Sequence, residues 1–502
     1  MVETMFGALF HLLGSPHIMG LMLVGVVCGL LVGVTPGIGG KLSIAMAIPF
    51  VYGMDAVAGA VFLLTMHAVN GTSGQISSIM FGIPGDGDDA ATTLDGYPLA
   101  KKGEAARALG ASITASGVGG IIGAIVFAVL IPFLKPIVLQ FSPAEFFLIA
   151  LLGISFIAFL SSGDKIVKGL IVGFWGLMLS TVGMDPQTGT PRYAGDFLFL
   201  WDGVSLVTAV LALFAVPEML ALGARGGSIS NVAAEDKDFS YRQLLSGVME
   251  VPRHWWLVLR TSIIGAVVGM IPGLGGSAAA WLCYGHAVQT SKTPERFGHG
   301  AIEGVIAPET ASNGKEGGSL LPTLFFGIPG SSGMAVLLGA FLILGIQPGA
   351  KMMTDHLDLV WTLIWALIVG NLIAVSILLV ICRWIAALTF INGRYLVPFI
   401  LLFITVGCFT SENQWQNLVI LVLFSIIGYG FLRAGWPRAP FVIGLVLGGQ
   451  AEGSLHQALQ LWGWGFFLRP LSLVLIAMIV GLMAYAVYRN LRPTRRKSEY
   501  VS

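Results

Sequence analysis

With 502 residues, 56% of them hydrophobic, only 11% charged and a net charge of +1, the chain lies far from the roughly 25% charged content of a soluble globular protein. A mean hydropathy of +0.85 marks a polytopic membrane protein. No basic stripe or aromatic-basic interleave occurs outside the tail, which excludes nucleic acid as a partner.

The N-terminal MVETMFGALF lacks the positive region and the small-residue cleavage site of a secretory signal, so the first apolar segment is expected to be retained. No Lys or Arg occurs in the first 40 residues, which permits an outside N-terminus. A span over Ile18 to Val34 is followed by the interrupted stretch GVTPGIGG at Gly33 to Gly40. Next come an apolar segment over Ala56 to Asn70, the small-polar run NGTSGQISS, and a second interruption, FGIPGDGDDA at Phe81 to Ala90. KKGEAAR at Lys101 to Arg107 reads as cytoplasmic, and spans follow near Ala108 to Ile131, Ala144 to Ser161, Lys165 to Gly183 and Leu200 to Leu222. The charged run AAEDKDFSYRQ then marks an internal boundary that cannot sit in a bilayer.

The second half repeats this plan. GMIPGLGG at Gly269 to Gly276 matches the first interruption and FGIPGSSGMA at Phe326 to Ala335 matches the second, with offsets of 236 (33 to 269) and 245 (81 to 326). Further spans are expected near Leu359 to Cys382, Tyr395 to Thr410, Asn417 to Arg433, Phe441 to Gln450 and Leu471 to Tyr488. The expected fold is an all-α polytopic membrane protein with two inverted-topology repeats, broken or re-entrant helices and roughly 10–14 membrane segments. Residues 1–224 form the first repeat, 225–253 a cytoplasmic polar linker, 254–460 the second repeat, and 461–502 a final transmembrane helix with a basic cytoplasmic tail. The 67 glycines suit close helix packing and interruption alike.

Pro removes a backbone donor and Gly adds conformational entropy, so a regular helix cannot pass through these four stretches. Irregular backbone at membrane depth survives only inside protein or along a wet cavity, and paired interruptions in repeated halves point to a transporter's substrate site. The candidates are Pro36, Gly37, Gly39 and Gly40 at the first break, and Pro84 and Gly85 at the second. Pro272, Gly273, Gly275 and Gly276 are their counterparts in the later half, with Pro329, Gly330 and Ser331 at its second break. Thr72, Ser73, Ser312 and Asn313 add hydroxyl and amide partners, and helix N-termini after each break supply N–H groups for an anion. The competing reading is that these small residues only pack helices.

Ionisable groups within such apolar surroundings mark a cavity, a pair or an ion path. Lys41, Lys315, Glu303, Glu309 and Glu316 stand in or beside the breaks, and a wet interface competes as an explanation for Glu303 and Glu316. Asp86 and Glu309 are candidates for holding a coupling cation, with helix capping the alternative for Asp86. The Asp86, Asp88, Asp89 cluster fails as a calcium loop because Tyr97 stands where the closing Glu belongs, so no metal site is expected. His67, His286 and His299 stand apart, and each reads as a buried or interfacial histidine. The four cysteines, Cys28, Cys283, Cys382 and Cys408, are scattered without CxxC spacing, which supports neither disulfides nor zinc. Gly40-Lys41 and Gly314-Lys315 do not complete a GK[ST] phosphate loop, and HExxH and GxSxG are absent. Neither an enzyme nor an organic cofactor is expected.

GVTPGIGG, IPGDGDDAATTLDGYPLAKKGEAARALG, APETASNGKEGGSLLPTLFFGIPGSSGMAVLLGA and the QPG at Gln347 to Gly349 closely resemble the large membrane subunit of tripartite tricarboxylate transporters, the TctA family. The resemblance spans essentially the whole chain. It implies a bacterial inner-membrane, ATP-independent secondary transporter coupled to Na⁺ or H⁺. It also implies a small membrane subunit and a periplasmic solute-binding protein that delivers a citrate-like di- or tricarboxylate, while a homodimer is left open. Asp88 and Asp89 depart from the family pattern, in which small or uncharged residues are commoner after IPG. A symporter for another small organic anion, and a channel or scaffold subunit, are the alternatives.

Overall fold

The computed structural model describes residues 2–34, 40–82, 84, 87–138, 140–160, 165–185, 188–225, 240–272, 275–388, 397–398, 401–402, 404–406, 408–409 and 414–491. Among these the protein is all-α apart from one two-stranded antiparallel hairpin, β1 (Gly183–Met184) with β2 (Pro191–Arg192). The first half runs α1 (Val2–Gly14), α2 (Pro16–Gly33), α3 (Gly40–Val51), α4 (Ala56–Phe81), α5 (Ala90–Lys101), α6 (Ala105–Val138), α7 (Pro143–Leu160) and α8 (Lys165–Leu179). After the hairpin come α9 (Leu206–Val210), a π-helical stretch, α10 (Val216–Arg225), α11 (Tyr241–Val248) and α12 (Glu250–Arg253). The second half holds α13 (Trp255–Met270), α14 (Gly275–Thr290), α15 (Glu303–Phe326), α16 (Ser332–Ile343), α17 (Lys351–Thr354) and α18 (Leu357–Leu388). The chain then continues through α19 (Gln416–Arg433), α20 (Ala439–Trp462) and α21 (Pro470–Leu491).

Five described helices are long and apolar enough to cross a membrane, or six if the pair bent by 68° at Leu468 and Pro470 is one span. Shorter apolar helices such as Trp255–Met270 and Ser332–Ile343 flank the interruptions. The breaks have a local cause. α4 and α15 both stop at a left-handed glycine, Gly82 with φ 70° and Gly327 with φ 67°, one residue after the matched Phe81 and Phe326. The same signal therefore ends the same helix in each half.

α4 runs beyond the apolar segment expected over Ala56 to Asn70. The NGTSGQISS run does not interrupt it, and the helix continues to Phe81. The hydroxyls of Ser73 and Ser77 donate to carbonyls one turn back, Asn70 O at 3.1 Å and Gly74 O at 2.9 Å, so these side chains satisfy themselves along the helix. No proline is present to remove a donor.

The chain packs as two compact units, each built from two separate stretches of the sequence. The larger contains residues 1–140 and 205–430, hence all four breaks. Within it α2 packs on α4 and α13 on α15, while the long helices exchange partners: α6 lies on α15 and α18 on α4. Backbone contact makes the α6–α15 pair close, because a Cβ on Gly119, Gly123 or Gly317 would run into the opposing chain at Thr310, Gly314 or Gly123. Of the polar linker, residues 226–239 lie outside the described residues, and α11 and α12 rest on α6. There Arg107 bonds Glu250 at 2.7 Å.

The smaller unit, residues 141–204 and 431–502, packs α7 and α8 on α20 and α7 on α21. The buried Glu145 accepts from Ser472 Oγ at 3.0 Å and lies 3.3 Å from Arg469 Nε. Arg192 on β2 reaches Glu452 on α20. These ties close the unit on itself.

Candidate functional site

The long helices α4 and α15 carry polar faces that no lipid-facing helix could sustain, and packing buries nearly all of α15 from Gly304 to Phe325. At its middle are Lys315, 3% exposed, and Glu316, 6% exposed. An unpaired charge in such a place costs several kcal/mol, so its partners define the site. Lys315 Nζ lies 2.8 Å from Glu316 Oε1 and 3.5 Å from Asp88 Oδ2. Asp88 comes from the short turn Gly87–Asp89 after the first half's second break. Its Oδ1 accepts from Ser277 Oγ at 2.7 Å, in the first turn of α14.

His67 on α4 completes the cluster. Its Nε2 is 3.3 Å from Glu316 Oε2, close enough for an ion pair but out of alignment for a hydrogen bond. Two missing side chains make room for these groups. A Cβ on Gly276 would overlap the Asp88 carboxylate and lie 2.9 Å from Lys315 Cε, and one on Gly333 would meet the His67 ring. The glycines of the breaks thus serve as space for charge.

Further links tie the halves together. Glu309 on α15, 1% exposed, accepts from Thr92 Oγ1 of α5. Asp95 on α5 accepts from the N–H groups of Gly300 and Ala301, each at 2.8 Å, and from Tyr284 Oη at 2.9 Å. Asn313 Nδ2 faces Thr72 Oγ1 at 3.3 Å, Ser116 O at 2.9 Å and Asn371 Oδ1 at 2.7 Å. Four helices, α4, α6, α15 and α18, meet at that one amide.

The candidates read from the sequence divide accordingly. Thr72 and Asn313 are brought together, buried and bonded to one another, while Ser73 is turned back on its own helix. Ser312 is buried on α15. Gly275 opens α14 with φ 68° and, like Pro272, is half-buried, and Gly276 touches Asp88. Pro84 is exposed. In contrast Pro329, Gly330 and Ser331 are buried; a Cβ on Gly330 would meet Gly269 O at 2.5 Å, and Ser331 caps α16 by accepting from Met334 N at 3.2 Å. Gly40 opens α3. Pro36, Gly37, Gly39, Gly85, Asp86 and Gly273 lie outside the described residues.

His67, expected as a buried or interfacial histidine, is buried, but its partner Glu316 was not foreseen. It stands alone in the chain, and its role emerges only when α4 and α15 lie side by side; its intramembrane position was the available signal. Glu303 sits at the start of α15, 3.8 Å from His254 and 3.9 Å from Arg296, which fits the wet-edge reading. Glu316 does not share it, being buried against Lys315 and His67. Among the described residues no group of three or more His, Cys, Asp or Glu side chains is placed to hold a metal ion.

Chemically, an ammonium, a hydroxyl and the opening of a 16-residue helix converge at the half-buried Asp88. That is the equipment of an anion seat.

No solved structure matches the chain. It is 31% identical over 482 residues to the "Uncharacterized 52.8 kDa protein in TAR-I ttuC' 3'region" of Agrobacterium vitis, covering 94% of each chain. A second Agrobacterium vitis protein, "Uncharacterized protein in TAR-II ttuC' 3'region", is 38% identical over 196 residues, which are 39% of this chain and 81% of that one. The tripartite tricarboxylate transporter TctA family matches residues 19–443, so a chain with interrupted helices, a buried lysine and an all-α membrane fold belongs to the TctA family.

Proposed function

We propose that this protein is the large membrane subunit of a tripartite secondary transporter that imports a di- or tricarboxylate across a bacterial inner membrane. A periplasmic solute-binding protein delivers the substrate, a small membrane subunit assists, and co-transported Na⁺ or H⁺ drives accumulation without ATP. The two halves enter the membrane from opposite sides, with the N-terminus outside and the C-terminus inside; the alternation of Lys and Arg between loops supports this. The observation that carries the reading is Lys315, an ammonium buried at the point where breaks from both halves converge. A substrate carboxylate sits on Lys315, Ser277 and the first N–H groups of α14.

Glu309 holds the coupling cation. It is buried one helical turn and more from the seat, and its carboxylate accepts a hydroxyl from Thr92. The bonds donated by Thr92 to Glu309 and by the Gly300 and Ala301 N–H groups to Asp95 support movement of both break pairs as one body.

Replacing Gly276 by Val should abolish uptake and leave membrane insertion intact, because the new side chain enters the space of Asp88 and Lys315. Transport assays with surface-labelled protein check this, and uptake at the unmodified level would reduce the motif to helix packing. The substrate class is tested by growth of a deletion strain on a panel of carboxylates. Loss of growth on one or more di- or tricarboxylates, restored by this chain, is expected; unaltered growth on all of them would overturn the substrate assignment.

A further inference from the structure

The matched second breaks differ at one position in a way that bears on the seat itself. Four residues after Pro84 stands Asp88, and four residues after Pro329 stands Gly333. In the second half the missing side chain leaves its space to the His67 ring. In the first half the aspartate side chain crosses to α14 and α15, where Oδ1 accepts from Ser277 Oγ at 2.7 Å and Oδ2 lies 3.5 Å from Lys315 Nζ. Gly276 is bare beneath it, and a Cβ there would overlap Asp88 Oδ2.

The groups that Asp88 engages are those that would receive a carboxylate from solution: a buried ammonium, a hydroxyl donor and a helix opening. We propose that Asp88 is a resident carboxylate that fills the anion seat when no substrate is bound and withdraws when a substrate carboxylate takes its place. This rests on the reading of Lys315 as the anion seat. Lys315 is only 3% exposed, and Asp88 adds a second carboxylate beside it to that of Glu316 when no substrate is bound. Glu316 supplies one carboxylate to it, but Glu316 is itself buried and shared with His67. The Asp88 side chain is 26% exposed, so it stands at the mouth of the seat and can be exchanged for an incoming anion. The exchange trades one carboxylate beside Lys315 for another. It also sets affinity, because every substrate must outcompete a carboxylate at high effective concentration.

The test uses the purified full-length chain and measures citrate binding by calorimetry for the unmodified protein, Asp88→Asn, Asp88→Gly and Lys315→Met. Asn keeps an acceptor for Ser277, and Gly restores the residue of the other half; monodisperse elution shows that each variant is folded. Both Asp88 variants are expected to bind citrate about tenfold more tightly, since a competing close charge pair is removed. The gain should persist at about 1 M salt, where the Debye length falls to about 3 Å and long-range repulsion is screened. Lys315→Met should bind no citrate. Unchanged or weaker binding in the Asp88 variants, or a gain that vanishes with salt, would overturn the resident-carboxylate proposal while loss of binding in Lys315→Met upholds the seat. Undiminished binding by Lys315→Met, or no citrate binding by any variant, would overturn the seat and this inference with it.

Discussion

Replacement of Lys315 by Met is expected to lower the kcat/KM of carboxylate uptake by at least about 30-fold, because loss of a buried, hydrogen-bonded charge partner costs about 2 kcal/mol or more. The ammonium is 3% exposed and faces Glu316 at 2.8 Å and Asp88 at 3.5 Å. Removing it does more than delete an attraction. Two carboxylates remain at the seat, and an incoming anion meets their repulsion in a region of low effective dielectric. Methionine matches the length and apolar stem of lysine, so the packing of α15 is retained. Uptake assays in cells, normalised to the amount of inserted protein, read the result. Near-normal uptake would place the substrate elsewhere.

The second large effect is expected at Glu309. This carboxyl group is 1% exposed and accepts from Thr92 Oγ1, and among the described residues no ion pair reaches it. An ionised carboxylate so placed would face a desolvation penalty of several kcal/mol, so it is stable when it carries a proton or holds Na⁺. Glu309→Gln keeps the shape and the bond from Thr92 while removing the titratable oxygen. Loss of one coupled charge should lower the accumulation ratio by about 50-fold at 100 mV, from about 2.3 kcal/mol per charge. Downhill exchange of substrate should continue, since the seat is untouched. Accumulation equal to that of the unmodified protein would remove Glu309 from the coupling path. Retained Na⁺ dependence with lost H⁺ dependence, or the reverse, identifies the ion.

The helix ends were legible because Pro and Gly act locally. Phe81-Gly82 and Phe326-Gly327 place the left-handed caps that the chain then adopts. The extent of α4 was less legible: a run such as NGTSGQISS is ambiguous until its hydroxyls find carbonyls on their own helix. Charge partnership was not legible at all. Asp88 and Ser277 are 189 residues apart, and no periodicity encodes their contact. His67 acquires meaning only from Glu316, across the α4 and α15 packing. Glu309 could be singled out in advance because a carboxylate in an apolar segment is costly wherever it lands.

The central claim, secondary transport of a carboxylate by coupled cations, is tested most directly by uptake into proteoliposomes that contain this chain and its partner subunits, supplied with labelled carboxylate and its binding protein. Each added negative charge entering a compartment with a negative interior is opposed by about 2.3 kcal/mol per 100 mV, so net accumulation requires cations to move with the substrate. Accumulation above the external concentration should appear when an inward Na⁺ or H⁺ gradient is imposed in the absence of ATP, and should collapse when the gradient is dissipated. Full accumulation with neither gradient, or accumulation that ATP alone restores, would contradict the account.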